Sequence, residues 1–426
     1  MPHRYRPAPI YTSLLKRVVT ARFFFFITTI SFLVSVVFIQ SVNRNDKIVQ
    51  QVIDNVSRDI KYIDVYRIPS KLSKDVKFIL LWTSSTYSPF YFFGTGQQAF
   101  VENNCPVTDC YVTDDRQLLD GDVTRFDAIA FNGRNIKSLR YSQLPGPRSP
   151  RQKYIFFNLE SSDNYPVCSA RYDGYFNWTA TYKLNSDILY PYIVIKNING
   201  EVVGPKVDMN WIKDYADVDD EFVDKLKSKS KAIAWFVSSC SVRSKRDNFV
   251  AVFSKELSSH GFGIDIFGKC GQHKCPIDRT EDCKKMLEKD YFFYLSLENS
   301  FAEDYITEKV LTALQHNVVP IVYGAANYSR FLPPGSYIDA RSQDAKSLAD
   351  TVARLISSPT SYSKYFKWKN HYSFHDATST EDVCSVCTAL HNKSMMETTS
   401  VYKTFREWWN PNYRSRCSWF LDDDDA

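Results

Sequence analysis

What the sequence has little of is net charge. Fifty-three Lys and Arg stand against 48 Asp and Glu, leaving +5 over 426 residues. No Lys/Arg block with interleaved aromatics runs through the body, so nothing marks a nucleic-acid partner. An internal repeat of fixed period is also missing, which argues against a solenoid. The only low-complexity stretch is the acidic tail "DDDD". The run Phe23–Ile39 lacks charge, Pro and Gly altogether. As a helix rising ~1.5 Å per residue it spans about 26 Å, near the lower limit for a bilayer. Such a short span suits the thin membranes of the early secretory pathway. The residues before it lack acid and carry Arg4, Arg6, Lys16, Arg17 and Arg22. The positive-inside rule then keeps this end cytosolic. A cleaved signal peptide is the competing reading, but the run is long and no small-x-small site follows. The sequence predicts a cytoplasmic tail at 1–22, a signal-anchor helix at 23–40, a polar stem at 41–75 and a lumenal body.

What is present agrees with a lumenal body. The ten cysteines are many for a reducing cytosol, and their number is even. Asn55, Asn177, Asn327 and Asn392 each open an N-x-S/T tripeptide, the acceptor pattern for N-glycosylation.

The body begins at "VKFILLW", Val76–Trp82, and similar short apolar runs follow at Phe126–Asn132 and Lys153–Glu160. Near 214–231 the character turns strongly charged. Beyond it the pattern becomes regular: strands at Ala232–Ser239, Gly263–Gly268, Tyr291–Leu297, Val318–Gly324 and Ser336–Ala340 alternate with helices near Asn248–Ser259, Glu303–His316 and Ser347–Ser358. Short apolar strands alternating with amphipathic helices mean a parallel α/β sheet. The expected architecture is two Rossmann-like domains facing a cleft, 76–225 and 226–385. The segment 386–426 is expected to pack back on the first.

Ligands in open α/β sheets bind at the carboxyl ends of strands. The stretch "FYLSLENSFAEDYITEKV" puts Glu298, Asn299 and Ser300 at such an end. Ser300 and Glu303 read as a capping box. Tyr305, Glu308 and Lys309 then share one face of the first turns, where a helix N-terminus and an ammonium attract a diphosphate. The plain alternative is a capped helix with exposed charges and no ligand. "SSCSVRSKR" follows another buried strand, and its Arg243 and Arg246 suit bidentate phosphate contact. Glu160 ends a strand of the first half and is a candidate general base. "DVDD", Asp217–Asp220, superficially matches a D-x-D metal motif but lies in the charged linker.

With these segments placed, the sequence resembles the α1,3-fucosyltransferases of glycosyltransferase family 10. The resemblance rests on "AWFVSSC", "DIFGKCGQHKCP", "FYLSLENSFAEDYITEKV", "VVPIVYGAANYSRFLPPGSYID", "YFKWK" and, in the first half, "FFNLESS". The cysteine-rich insertion around Cys270 is most similar to invertebrate members. The family implies a GT-B fold and inverting transfer of L-fucose from GDP-fucose to a GlcNAc 3-hydroxyl of glycoprotein glycans in the Golgi. The N-glycan core and outer N-acetyllactosamine antennae are alternative acceptors, and a catalytically silent glycan-binding member is a third possibility. The resemblance makes Glu160 the catalytic base. It makes Arg246 (with Arg243 as rival), Asn299, Tyr305, Glu308 and Lys309 the donor site. No metal is expected in the chemistry, with stimulation by a divalent cation left open.

Cys384 and Cys387, with Cys105 and Cys110, form either two disulfides tying the C-terminal segment to the first domain or a four-Cys zinc site. Cys240 is expected to pair with Cys270, Cys275 or Cys283. Cys168 and Cys417 have no assigned partner.

Overall fold

The computed structural model describes residues 75–276, 280–377 and 381–418. The expected membrane span, the stem and Asn55 lie outside them. Among the described residues no helix is long and apolar enough to cross a membrane.

Two all-parallel sheets and one small antiparallel sheet are present among the described residues. The first contains β1 (Lys77–Leu81), β2 (Cys110–Thr113), β3 (Ala128–Asn132), β4 (Lys153–Asn158), β5 (Trp178–Thr181) and β6 (Ile188–Leu189), in the order β2-β1-β3-β4-β5-β6. Its strands alternate strictly, as the period of two requires. Ile79, Leu81, Ile155 and Phe157 feed one core, and Leu80, Trp82, Tyr154 and Phe156 feed the other. The strands β2, β5 and β6 are the ones a periodicity reading passes over, because they are only four, four and two residues long.

β7 (Ile193–Asn197), β8 (Val202–Gly204) and β14 (Tyr372–Asp376) make a small antiparallel sheet in the order β14-β7-β8, so a strand from each half of the chain pairs there. The second large sheet holds β9 (Lys231–Phe236), β10 (Ile264–Phe267), β11 (Tyr291–Leu297), β12 (Val319–Tyr323) and β13 (Ile338–Asp339), in the order β10-β9-β11-β12-β13. Helices Arg246–Ser258 and Ala345–Ile356 pack on one face through Val250, Phe253, Leu348 and Val352. Helix Glu308–Gln315 covers the other.

The C-terminal segment returns to the first sheet on both faces. Helix Glu381–His391 straddles the expected boundary at 385/386 and gives Val383, Val386 and Leu390 to one core. Phe405 and Trp409 enter the other. Disulfides Cys105–Cys384 and Cys110–Cys387 fasten the first of these contacts, and Cys168–Cys417 fastens the second. Cys240 pairs with Cys270 and Cys275 with Cys283. The zinc reading of the four cysteines therefore fails, since their sulfurs are bonded to one another.

The glycosylation candidates separate by burial. Asn327 and Asn392 are exposed, and each uses its side-chain carbonyl as a helix cap, to Ser329 and Met395. Asn177 is buried; its Oδ1 accepts from the Tyr154 amide at 2.9 Å and its Nδ2 donates to the Ser400 carbonyl at 3.2 Å. A glycan on that nitrogen does not fit this fold, so Asn177 is withdrawn as a site.

Lys229, buried just before β9, donates to the Glu288 carbonyl. Burial pulls its pKa down to about 8, against the partial support of Glu288 and Asp290. The folded pKa is below the unfolded one, so the cost of the charged form is full below pH 8 and fades as pH rises toward 10.5. Lys229→Met is expected to stabilise the protein at pH 7 by ~2 kcal/mol, the shift of protonation energy less one lost hydrogen bond. The advantage should vanish by about pH 10, as urea titrations of both proteins at several pH values would show.

Candidate active site

In the second sheet the chain runs from β9 outward to β10, then crosses back to place β11 on the other side of β9. The order reverses between β9 and β11, and such a switch point opens a crevice beyond the strand ends. The loops that border it are 237–245 and 298–307, the two that carry the sequence motifs.

Glu298 leaves β11 buried. Its carboxylate accepts from the Thr307 amide at 2.9 Å and the Thr307 hydroxyl at 3.0 Å, and pairs with Lys309 at 3.1 Å. Burial raises the Glu298 pKa and Lys309 opposes the rise. Burial lowers that of Lys309, but Glu298 and Glu308 outweigh it and hold the ammonium above the usual lysine range. A protonated lysine is thus fixed at the start of helix Glu308–Gln315, with Glu308 exposed beside it at 3.3 Å.

That helix begins five residues later than expected, and the predicted capping box does not form. Asp304 takes a positive φ of 57°, which breaks the helical path. Its buried carboxylate instead accepts from the Leu184 amide at 3.1 Å and pairs with Arg330 at 3.2 Å. Glu303 goes to Lys183 at 2.9 Å, and Ser300 bonds the hydroxyl of Ser161. Tyr305 consequently does not share a helix face with Glu308 and Lys309. It is buried against Tyr182 and Tyr192, with ring centroids 5.0 and 6.1 Å apart.

The two arginines after β9 differ. Arg246 is buried and donates to the carbonyls of Leu297 and Ser239, so it pins the ends of β11 and β9 together. Arg243 is exposed, and its Nε reaches the Asp163 carbonyl of the first half at 3.2 Å. Of the pair, Arg243 is the one whose charge faces solvent.

Glu160 follows β4, and its side chain is about one third exposed, with Oε1 3.7 Å from Arg134. Arg134 sits in the short helix Gly133–Ile136. Only glycine fits at its first position, since a Cβ on Gly133 would lie 2.6 Å from both Asn158 and Phe156. The residues on either side of Glu160 are tied down: the Leu159 carbonyl accepts from the Tyr192 hydroxyl, and Ser161 meets Ser300. Nearby, Asn164 donates to the Asn299 side chain at 3.3 Å, while Ser244 bonds Asn299 and Glu298 at 3.0 and 2.7 Å. Burial first, then Glu160, Glu308 and Glu298, drive the Tyr192 hydroxyl well above its ordinary pKa. One phenol thus feels a carboxylate from the first half and two from the second. The structure brings Glu160, Asn299, Glu308 and Lys309 to one seam, with Arg243 at its edge and Arg246 and Tyr305 in its floor.

Sequence reasoning gave no role to Glu298, Tyr192, Arg134 or Ser161. For Glu298 a signal existed, as it is the first carboxylate after seven apolar-patterned positions. Tyr192, Arg134 and Ser161 gain their meaning only from tertiary contacts. The "DVDD" aspartates are occupied elsewhere: Asp217 pairs with Lys367 at 2.5 Å and Asp219 caps helix Asp220–Lys227.

Both halves of the chain are similar to known proteins. Residues 74–193 match the fucosyltransferase N-terminal family, and residues 226–408 match the C-terminal family of glycosyltransferase family 10 (fucosyltransferase). The chain is 35% identical over 345 residues to alpha-(1,3)-fucosyltransferase C of Drosophila melanogaster, covering 78% of this chain and 77% of that one. It is 31% identical over 329 residues to glycoprotein 3-alpha-L-fucosyltransferase A of the same organism, covering 76% of this chain and 59% of the other. A 4-galactosyl-N-acetylglucosaminide 3-alpha-L-fucosyltransferase of Pongo pygmaeus is 31% identical over 302 residues, or 70% and 75% of the two chains. The two family matches and these relatives show that the chain is a glycosyltransferase and belongs to glycosyltransferase family 10, the fucosyltransferases.

Proposed function

We propose that the protein transfers L-fucose from GDP-fucose to a GlcNAc 3-hydroxyl of glycoprotein glycans, with inversion, as a GT-B enzyme whose body lies in the Golgi lumen. The observation that supports this most is the hydrogen bond between Ser161 and Ser300, which joins the loop of Glu160 to the strand end that leads to the Glu298–Lys309 pair. The acceptor oxygen attacks the anomeric carbon of fucose from the face opposite the diphosphate. Glu160 takes the hydroxyl proton as the new C–O bond forms, and the bond to GDP breaks with its electron pair leaving on the diphosphate. Lys309, Arg243 and the amides that open the adjoining helices meet that charge. Arg246 and Tyr305 shape the floor, and Asn299 and Glu308 hold fucose or ribose hydroxyls, which turns binding into orientation. We expect no divalent ion in the chemical step.

The N-glycan core is the acceptor we favour, because the cysteine-rich insertion around Cys270 is like that of invertebrate members. The outer N-acetyllactosamine antenna is the alternative. The detergent-solubilised full chain, given GDP-fucose and each acceptor in turn, should release GDP only when a GlcNAc acceptor is present, and equally in EDTA. No release with any acceptor would favour a silent glycan-binding member.

A further inference from the structure

β6 is the outer strand of the first sheet and pairs with β5. An outer strand presents unpaired backbone N–H and C=O groups, and native folds shorten or cover such edges. Beside β6 lies a groove of about 430 Å³, lined also by helices Glu381–His391 and Lys393–Glu397. That volume is within the range of small-ligand sites, roughly 300–1,000 Å³. Ile188, Leu189 and Met395 supply apolar surface, and exposed Asp187 and Thr388 supply oxygen atoms. A pyranose ring packs its C–H face on the first and hydrogen-bonds its hydroxyls to the second.

Asn392 lines the same groove and opens the acceptor tripeptide Asn392-Lys393-Ser394. Its Oδ1 accepts from the Met395 amide at 3.2 Å and caps helix Lys393–Glu397. The cap takes the carbonyl oxygen, whereas a glycan takes the amide nitrogen, so one side chain serves both. Asn177 differs, because it is buried and its Nδ2 already donates to the Ser400 carbonyl. A sugar on the Asn392 nitrogen starts at the groove's own wall. So short a tether keeps the sugar at high effective concentration, and weak contacts then suffice to seat it.

We propose that Asn392 carries an N-glycan whose proximal GlcNAc residues lie in this groove and cover the outer edge of the first sheet. The proposal rests on the lumenal reading above, and it extends that reading to the seat of one glycan. Attachment forms a bond from Nδ2 to C1 of the first GlcNAc and releases one Nδ2 proton. The bond from C1 to a lipid-diphosphate oligosaccharide donor breaks, and the diphosphate keeps the electron pair.

The full chain, made in animal cells restricted to high-mannose glycans and solubilised in detergent, tests this. An endoglycosidase that cuts between the two proximal GlcNAc residues is added, and glycopeptide mass spectrometry follows each site. Thr388→Arg places a long side chain in the groove at an exposed position, so it should keep the glycan but unseat it. The native wild-type chain should lose its Asn392 glycan about 10-fold more slowly than native Thr388→Arg, since cleavage tracks the fraction of time the sugar is out of the groove. After denaturation the two proteins should be cut at one rate. Ser394→Ala removes the acceptor hydroxyl and keeps the Asn392 cap, so it should fold and lose that glycan alone. Equal native rates in wild type and Thr388→Arg would overturn the proposal. So would a glycan on Asn327 with none on Asn392, which leaves the lumenal reading standing. Bare asparagines at both sites would instead overturn the lumenal reading, and the proposal with it.

Discussion

Glu160→Gln is expected to lower kcat by about 10²–10⁴-fold, the range set by removal of a general base. The substitution keeps size and hydrogen-bonding shape. The Asn158 side chain still accepts from the residue 160 amide, and the flanking bonds of Leu159 and Ser161 are untouched. GDP-fucose affinity and thermal stability should therefore stay near wild type. This distinguishes the role of Glu160 from that of a structural carboxylate, whose loss would move Tm. Isothermal titration with GDP-fucose, beside steady-state transfer rates, measures both quantities. A folded Glu160→Gln protein with undiminished kcat would remove the assignment.

The second large effect lies at Lys309. Lys309→Ala should cost ~3 kcal/mol of stability, because Glu298 is left as a buried carboxylate without its counter-charge. It should also reduce kcat by about 10²–10³-fold, the effect of deleting one preorganised donor at a developing anion. The two losses have different cures. Glu298→Gln in the same chain removes the stranded charge and keeps a carbonyl for Thr307, so the double variant should regain most stability and none of the rate. The pH dependence follows the same logic. With Lys309 gone, the folded-state pKa of Glu298 lies above its unfolded value, so the penalty is full at high pH. It shrinks as pH falls and Glu298 takes up a proton. The stability gap between Lys309→Ala and wild type should accordingly narrow toward acid, and chemical denaturation at several pH values would measure it.

The parts of this arrangement that were legible beforehand are those encoded locally. The run Tyr291–Leu297 is apolar at every position but one and forms a strand of those same limits. The helix expected at Ser347–Ser358 forms at Ala345–Ile356, and the strand expected before it at Ser336–Ala340 shrinks to Ile338–Asp339. The position of Glu160 after a buried run, and of Asn299 and Lys309 after another, followed from the rule that α/β sheets bind ligands at their carboxyl ends. What misled was non-local. Ser300 and Glu303 have the spacing of a capping box, but Lys183, Leu184 and Arg330, all distant in sequence, compete for residues 303 and 304 and win. Arg246 was expected, ahead of Arg243, to contact phosphate, yet its guanidinium is buried and donates to two carbonyls. The tripeptide at Asn177 says nothing about burial. The two C-terminal cysteine bridges show the opposite case, where a long-range contact could be guessed because C-x-x-C and two upstream cysteines admit few arrangements.

The most direct measurement is the structure of the product. The full chain, incubated with GDP-fucose and a GlcNAc-bearing N-glycan acceptor, should yield one new glycosidic linkage, α from fucose to O3 of GlcNAc by NMR. The same incubation with Glu160→Gln should leave GDP-fucose bound and the acceptor unchanged. A β linkage, attachment at another hydroxyl, or equal product from both proteins would contradict the account.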